Sequence, residues 1–205
     1  MMAKMDVRQT NDAIDRLLAV TTNRRHRFML MAYYRHRFLE IAGRYEEIFA
    51  PDMMVDSPTY HLQLAGANVT LPGAQAVKGL YGMWAESSQS VFYIESEQIA
   101  VADNFIASVS TTYQQLHGQA MTANGLTVED PDAYYLYKMK GVQMIWPSDD
   151  QCRLLGEDVY EPDPAAAEIT KLDPADVLTT QQCAELLAPF IKPLPNYAEY
   201  MAGTD

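Results

Sequence analysis

Near residue 90 the spacing of apolar residues changes from a period of 3.6 to a period of 2. That switch constrains the chain more than any other feature, because it separates a helical half from a sheet half. Ahead of it, Asp6 to Val20 reads as a short helix with Ile14, Leu17 and Leu18 on one face. Asn23 caps a longer helix that is expected to run to about Phe49. Its stripe is Leu30, Met31, Tyr34, Phe38, Ile41, Tyr45, Ile48 and Phe49, and Pro51 ends it. Met53 to Ser57 forms a short strand that Pro58 stops, with Tyr60 to Leu64 continuing in extended form. Gly73 to Ser87 is a third helix, carrying Val77, Leu80, Tyr81 and Trp84.

After the switch, Val91 to Val101 and Phe105 to Leu116 are strands joined by a turn at Ala102, Asp103 and Asn104. Residues 119–132 read as a long loop, with Asn124-Gly125 and Asp130-Pro131 inside it. Ala133 to Trp146 and Gln151 to Tyr160 complete a meander across the turn at Pro147 to Asp150. The tail from Glu161 holds six of the eleven prolines and one helical stretch, Thr179 to Phe190, whose Thr179 and Gln182 have capping-box spacing. Helices first and a meander after them predict an α+β fold, with the helices on one face of an antiparallel sheet. The expected division is an N-terminal helix over 1–22, one domain over 23–160, and an extension over 161–205. That extension would cover the same domain or a neighbouring subunit.

Charge and composition then narrow the function. A net charge of −12 repels phosphate backbones and anionic headgroups, so neither nucleic acid nor membrane is an expected partner. No apolar run approaches the ~20 residues of a membrane span. The N-terminal stretch lacks the apolar core of a signal peptide, so a cytoplasmic protein is expected. Cys152 and Cys183 read as reduced thiols. The four histidines, His26, His36, His61 and His117, show no metal-ligand spacing. There is no phosphate loop, nucleophile elbow or dinucleotide fingerprint. No cofactor and no metal are therefore expected, and acid–base chemistry is what remains for an enzyme.

The polar groups that carry such chemistry are few. Tyr33 and Arg37 lie one helical turn apart on the flank of the long helix's stripe. Together they suit an oxyanion, unless Arg37 pairs with a surface carboxylate such as Glu40 or Glu47. Asp56 serves as a base if it points inward, but alternation sends only one of Asp56 and Ser57 that way. Val109, Thr111, Tyr113, Gln115 and His117 share one strand face, and an inward His117 moves a proton near neutral pH. The opposing reading is a rim histidine. The chain has 13 tyrosines. Tyr34, Tyr60, His61, Trp84, Tyr113 and Tyr135 are candidates for binding a phenolic or hydroxylated aromatic substrate.

Two stretches carry a family resemblance. Phe49-Ala50-Pro51-Asp52-Met53-Met54-Val55-Asp56-Ser57-Pro58 resembles the end of the long helix and first strand of the NTF2-like/SnoaL-like superfamily. Tyr134-Tyr135-Leu136-Tyr137-Lys138 with Cys152-Arg153-Leu154-Leu155-Gly156 is similar to its last two strands. The resemblance spans roughly residues 23–160. It implies a cone-shaped fold with a small-molecule cavity, as in ketosteroid isomerases, scytalone dehydratases, limonene epoxide hydrolases and SnoaL polyketide cyclases. Counting back from Phe49, Tyr33 falls at the isomerase's oxyanion-stabilising tyrosine, and Arg37 at a cavity tyrosine of the dehydratase. Ser57 matches the isomerase's catalytic aspartate, with Asp56 one residue earlier, and Tyr135 falls near its second oxyanion donor. The dehydratase's histidine pair is not reproduced.

The implied activity is a cofactor-independent lyase or isomerase acting on a small hydroxylated aromatic, including a lignin-derived diaryl propanediol losing formaldehyde or water. The alternative is a non-catalytic ligand-binding or assembly module, such as a dioxygenase small subunit. A homodimer or larger homo-oligomer is expected, with Phe92, Ile94, Thr112, Gln114 and Leu116 on the outer face of the sheet if Tyr93 and Tyr113 point inward.

Overall fold

A computed structural model describes residues 6–203; residues 1–5 and 204–205 lie outside the described residues. The helices come first. After a single turn at Val7–Gln9, α1 (Asp12–Val20) leads into α2 (Arg24–Ile41), where the Asn23 side chain accepts from the His26 N–H at 3.2 Å. The long helix ends eight residues earlier than the apolar stripe suggests. Gly43 adopts φ +66°, which a left-handed helix terminus requires. The Gly43 N–H donates to the Glu40 carbonyl at 2.9 Å and the Arg44 N–H to the Leu39 carbonyl at 2.8 Å. A separate turn, Tyr45–Phe49, then carries the rest of the stripe back over the core. This break leaves Glu40 in the last turn of α2.

The strands and later helices follow as β1 (Met54–Leu64), β2 (Ala67–Pro72), α3 (Gly73–Glu86), β3 (Phe92–Ala102), β4 (Phe105–His117), α4 (Gly118–Ala123), β5 (Tyr134–Pro147) and β6 (Leu154–Tyr160). Pro58 does not end β1. It sits where the β1–β6 register shifts, a place where a missing N–H costs no ladder bond. Within the loop expected over 119–132, the first residues form α4, capped by the His117 side chain. The tail adds β7 (Glu168–Lys171), α5 (Thr180–Leu187) and α6 (Tyr197–Ala202), and Thr179 and Gln182 form the expected capping box.

The strand order is β2-β1-β6-β5-β4-β3, with β7 alongside β5. All neighbours pair antiparallel except β1 and β6, so the curved sheet is open and the class is α+β as expected. The main core joins α2 and α3 to the sheet through residues such as Leu30, Tyr33, Tyr60, Val77, Tyr81 and Trp146. A smaller core under α5 packs Cys183 and Leu187 against Phe38, Ile41 and Val91, so the tail covers its own chain.

Two bulges set which side chains face inward. At Ser96 (φ +54°) the β3–β4 register shifts by one residue, which turns Glu97 toward the helices. At Gly141 (φ +71°) the β4–β5 register shifts likewise. The faces of β3 and β4 are the reverse of the expected ones. Phe92, Ile94, Thr112 and Gln114 line the interior, and Leu116 is buried beside them. Tyr93 and Tyr113 pair ring to ring on the outer face, where Tyr113 donates to Glu95 at 2.9 Å and Lys138 lies over its ring. Burial explains the reversal. Ile106 and Leu116 share the even-numbered face, while Val109 on the odd face is 48% exposed.

Candidate active site

Between α2, α3 and the concave side of the sheet lies a cavity of about 80 Å³. Most of its wall is apolar, from Leu62 and Leu80 to Met139, Val142, Met144 and Val159. Tyr60, Tyr81, Trp84 and Phe92 add rings, and Thr112 and Gln114 add neutral polar groups. Its two ionisable acids are Glu40, from the last turn of α2, and Glu157, from the middle of β6.

Each glutamate arrives there for a local reason. Tyr33, His36, Arg37 and Glu40 are spaced i, i+3, i+4 and i+7, so all four lie on the inner side of α2. On β6, Glu157 and Val159 point to the cavity while Asp158 and Tyr160 point out. The Glu40 side chain is 13% exposed, and what it sees is the cavity. Burial raises its pKa well above the ordinary 4.5, the Glu157 charge raises it further, and Arg37 lowers it. Glu157 is pushed up to about 7 by burial; Trp146 and Arg37 pull it down and Asp158 pushes it up. The Trp146 indole N–H nonetheless makes no hydrogen bond of normal geometry. Two carboxyls that feel each other in an apolar setting behave as one titrating unit, with one proton held near neutrality.

A buried hydrogen-bonded chain runs beside them. His36 Nε2 lies 3.0 Å from the Tyr81 hydroxyl, which donates to the Tyr60 hydroxyl at 3.3 Å. Burial and then Arg37 lower the His36 pKa to about 3, so the imidazole is neutral. Burial pushes both phenols well above 10.0, so both remain hydroxyl donors.

Tyr33 and Arg37 do come together, but away from the cavity wall. Arg37 holds Glu97 through both guanidinium branches, at 2.7 and 3.0 Å, and also donates to the Tyr33 hydroxyl. It reaches the Thr10 carbonyl and the Asn11 side chain, each at 3.2 Å. Burial opposes the Arg37 charge, yet Tyr33 and Glu97 hold its pKa raised. The partner of Arg37 is thus Glu97 on β3 rather than Glu40 or Glu47.

The other expected residues divide. Tyr60 and Trp84 line the cavity. Asp56 is exposed on β1. His117 sits at the end of β4, accepts from the Gln119 N–H at 3.3 Å and packs edge-on against Tyr134. His61 points outward and contacts Asp158 at 2.6 Å. Tyr113 is on the outer face, and Tyr34 packs on Phe38 beside a separate surface groove. Tyr135 is buried in a second cluster, where its hydroxyl bonds the backbone of Asp130. Sequence reasoning passed over Glu40, Glu157 and His36 as site residues. The spacing along α2 and the alternation along β6 were the available signals. Among the described residues, no group of three or more His, Cys, Asp and Glu side chains converges to hold a metal ion, and no helix is long and apolar enough to cross a membrane.

No protein-family model matches the chain, and no curated protein does. Solved structures are similar to it in fold. A SnoaL-like polyketide cyclase from Jannaschia sp. CCS1 is 7% identical over 67% of this chain and 88% of its own, with a TM-score of 0.48. A protein from a soil-derived mobile gene cassette is 8% identical over 69% and 95%, also at 0.48. The epoxide hydrolase/cyclase-like enzyme SalBIII is 9% identical over 70% and 93%, at 0.44. The chain's own architecture is a helical layer on an open, antiparallel-dominated curved sheet with an interior cavity, the α+β arrangement expected from the sequence.

Proposed function

We propose that the chain is a cofactor-independent acid–base enzyme, a lyase or isomerase of the elimination, isomerisation or cyclisation type. The observation that carries this reading is the pair Glu40 and Glu157 inside an apolar cavity, with Glu157 pushed up to about 7 by burial. A general base is most effective with a pKa near the working pH, and a positioned base contributes roughly 10²–10⁴ in rate. Glu157 takes a proton from the substrate. Glu40, whose carboxyl burial also raises well above the ordinary 4.5, donates to the oxygen that gains charge or leaves. Tyr60 and Tyr81 orient that oxygen through their hydroxyls. Arg37 acts at a distance, because its charge lowers both carboxyls while its donors are taken by Glu97.

Within this class the aromatic rings around the cavity support a hydroxylated aromatic substrate. Water is the leaving group the site serves most simply, since a protonated carboxyl delivers the needed proton; loss of formaldehyde from a diaryl propanediol is the finer variant of the same lyase reading. The test is a panel of hydroxylated aromatics without added cofactor, read by mass spectrometry in deuterated solvent. The reading expects turnover or deuterium incorporation that drops by at least ~10² in Glu157→Gln. Turnover unaffected by Glu157→Gln and Glu40→Gln contradicts it.

One observation favours a second reading. About 80 Å³ is small beside the ~300–1,000 Å³ of pockets that enclose drug-sized ligands. A binding module has no use for a proton-transferring pair. Saturable binding across the panel with no turnover and no solvent exchange decides for the module.

A further inference from the structure

We infer that the cavity takes an elongated, uncharged apolar molecule with one hydroxyl or carbonyl oxygen at its inner end, and that it rejects the carboxylate of the same skeleton. This deepens the acid–base reading, since it assigns the substrate class of the same site. The first observation is a second, larger chamber. A space of about 330 Å³ lies between the β1–β2 hairpin, α3 and α4. It shares Leu62, Leu64, Leu80, Trp84 and Gln114 with the inner cavity, so the two spaces adjoin at those five side chains, which we take as the neck between them. Glu40, Glu157, Tyr60 and Tyr81 line the inner chamber only. A ligand whose oxygen reaches the glutamates and whose body exceeds the first cavity would extend between those side chains into the second space.

The second observation is the charge of the lining. Among the described residues that line the two chambers, none is Lys, Arg or His, and the only charged types are Glu40 and Glu157. An anion placed there gives up its hydration and gains no cation in exchange. Arg37, the nearest guanidinium to the acids, is held by Glu97 at 2.7 and 3.0 Å and lines neither chamber. The outer chamber is walled by groups such as Val69, Met83, Leu116 and Met121, which suit hydrocarbon. A neutral oxygen gains hydrogen bonds from the carboxyl pair without bringing a charge. An ammonium gives up the same hydration, and where the carboxyl pair holds its proton it meets no full anion.

The hairpin that forms one side of the outer chamber is fixed. Ala65 and Gly66 turn with φ +49° and +80°. The Ala65 N–H donates to the buried Glu161 carboxylate at 2.8 Å, and Glu161 also accepts from the Tyr137 hydroxyl at 3.0 Å. A Cβ on Gly66 would stand 2.4 Å from the Asn124 carbonyl, so hairpin and α4 close together with no room to spare. The neck carries one amide, Gln114, whose Nε2 donates to the Gln89 carbonyl at 3.2 Å.

The test uses a naphthyl-alkyl alcohol and the carboxylate and amine of the same skeleton. Binding is followed by calorimetry at about pH 8, in the wild type and in Glu157→Gln, which keeps the cavity and lacks the base. The alcohol is expected to bind at least about tenfold tighter than the carboxylate and than the amine. Leu64→Arg, which places a cation at the neck, is expected to move the preference toward the carboxylate. Leu116→Trp, or Val69→Trp if the former does not fold, is expected to weaken the long alcohol at least about tenfold and to spare benzyl alcohol. Equal or tighter binding of the carboxylate, tighter binding of the amine, or full binding of the long alcohol with the outer chamber filled overturns the inference. The two readings fail separately. Selective alcohol binding with no turnover removes the enzyme and keeps the ligand class. Glu157-dependent turnover with carboxylates bound best does the reverse.

Discussion

Replacing Glu157 by Gln should make the protein more stable and less active, and the gain in stability should depend on pH. In the unfolded chain this carboxyl loses its proton near 4.5, whereas in the fold it keeps it to about 7. Between those values the folded state binds more protons, so stability falls as pH rises from 4.5 to about 7, and the whole penalty is present above that. At roughly 1.4 kcal/mol per pH unit the penalty is about 3 kcal/mol. Gln has the same shape and never ionises. The stability of Glu157→Gln relative to the wild type should therefore grow from near zero at about pH 4.5 to about 3 kcal/mol at about pH 8. For a chain of this length that corresponds to a Tm higher by roughly 6–12 °C at the upper pH. Thermal unfolding by circular dichroism across the pH range measures it. Self-repulsion from the net charge of −12 also weakens the fold as pH rises, but both proteins share it and the difference cancels it. A variant whose pH dependence parallels the wild type, or which is less stable at every pH, refutes the reasoning.

Other substitutions separate the roles further. Arg37→Met leaves the buried Glu97 without its cation, and should cost ~3–5 kcal/mol in thermal unfolding, most of it recovered when Glu97→Met is added. Gly43→Ala should cost ~1–3 kcal/mol, because φ is +66° and the new Cβ would stand 2.3 Å from Thr180 Cγ2. Asp56→Asn and His117→Ala should each leave kcat/KM within about twofold of wild type, because neither side chain lines the cavity. Thr179→Ala removes a capping box and should cost ~1 kcal/mol in denaturant unfolding.

The change of period near residue 90 made the helix-then-meander order legible, and Asn23 and Thr179 mark helix starts that the fold uses. Other elements left weaker traces. The stripe of α2 runs on through Ile48 and Phe49, so the left-handed break at Gly43 is hidden by residues that return to the same core from a separate turn. β7 is exposed along its whole length and so lacks alternation. The site was half legible for a related reason. A strand pattern gives two faces but not which one is inside, and the tyrosine-rich odd face of β4 proved to be the outer one. Tyr33 and Arg37 were correctly seen as neighbours. Their partner Glu97 is 60 residues from Arg37 and is turned inward by a bulge, which no local pattern announces. Glu40 read as a surface carboxylate because charge alone suggested it, although its spacing from Tyr33 and His36 places it inside.

The measurement that bears most directly on the acid–base reading is a carbon-13 NMR titration of the glutamate side-chain carboxyls. Two carboxyl resonances should titrate well above the ordinary 4.5, one of them near 7, and Glu157→Gln should remove that resonance and shift the other. If every glutamate carboxyl titrates in the ordinary range, the cavity holds no proton-transferring pair and the account fails.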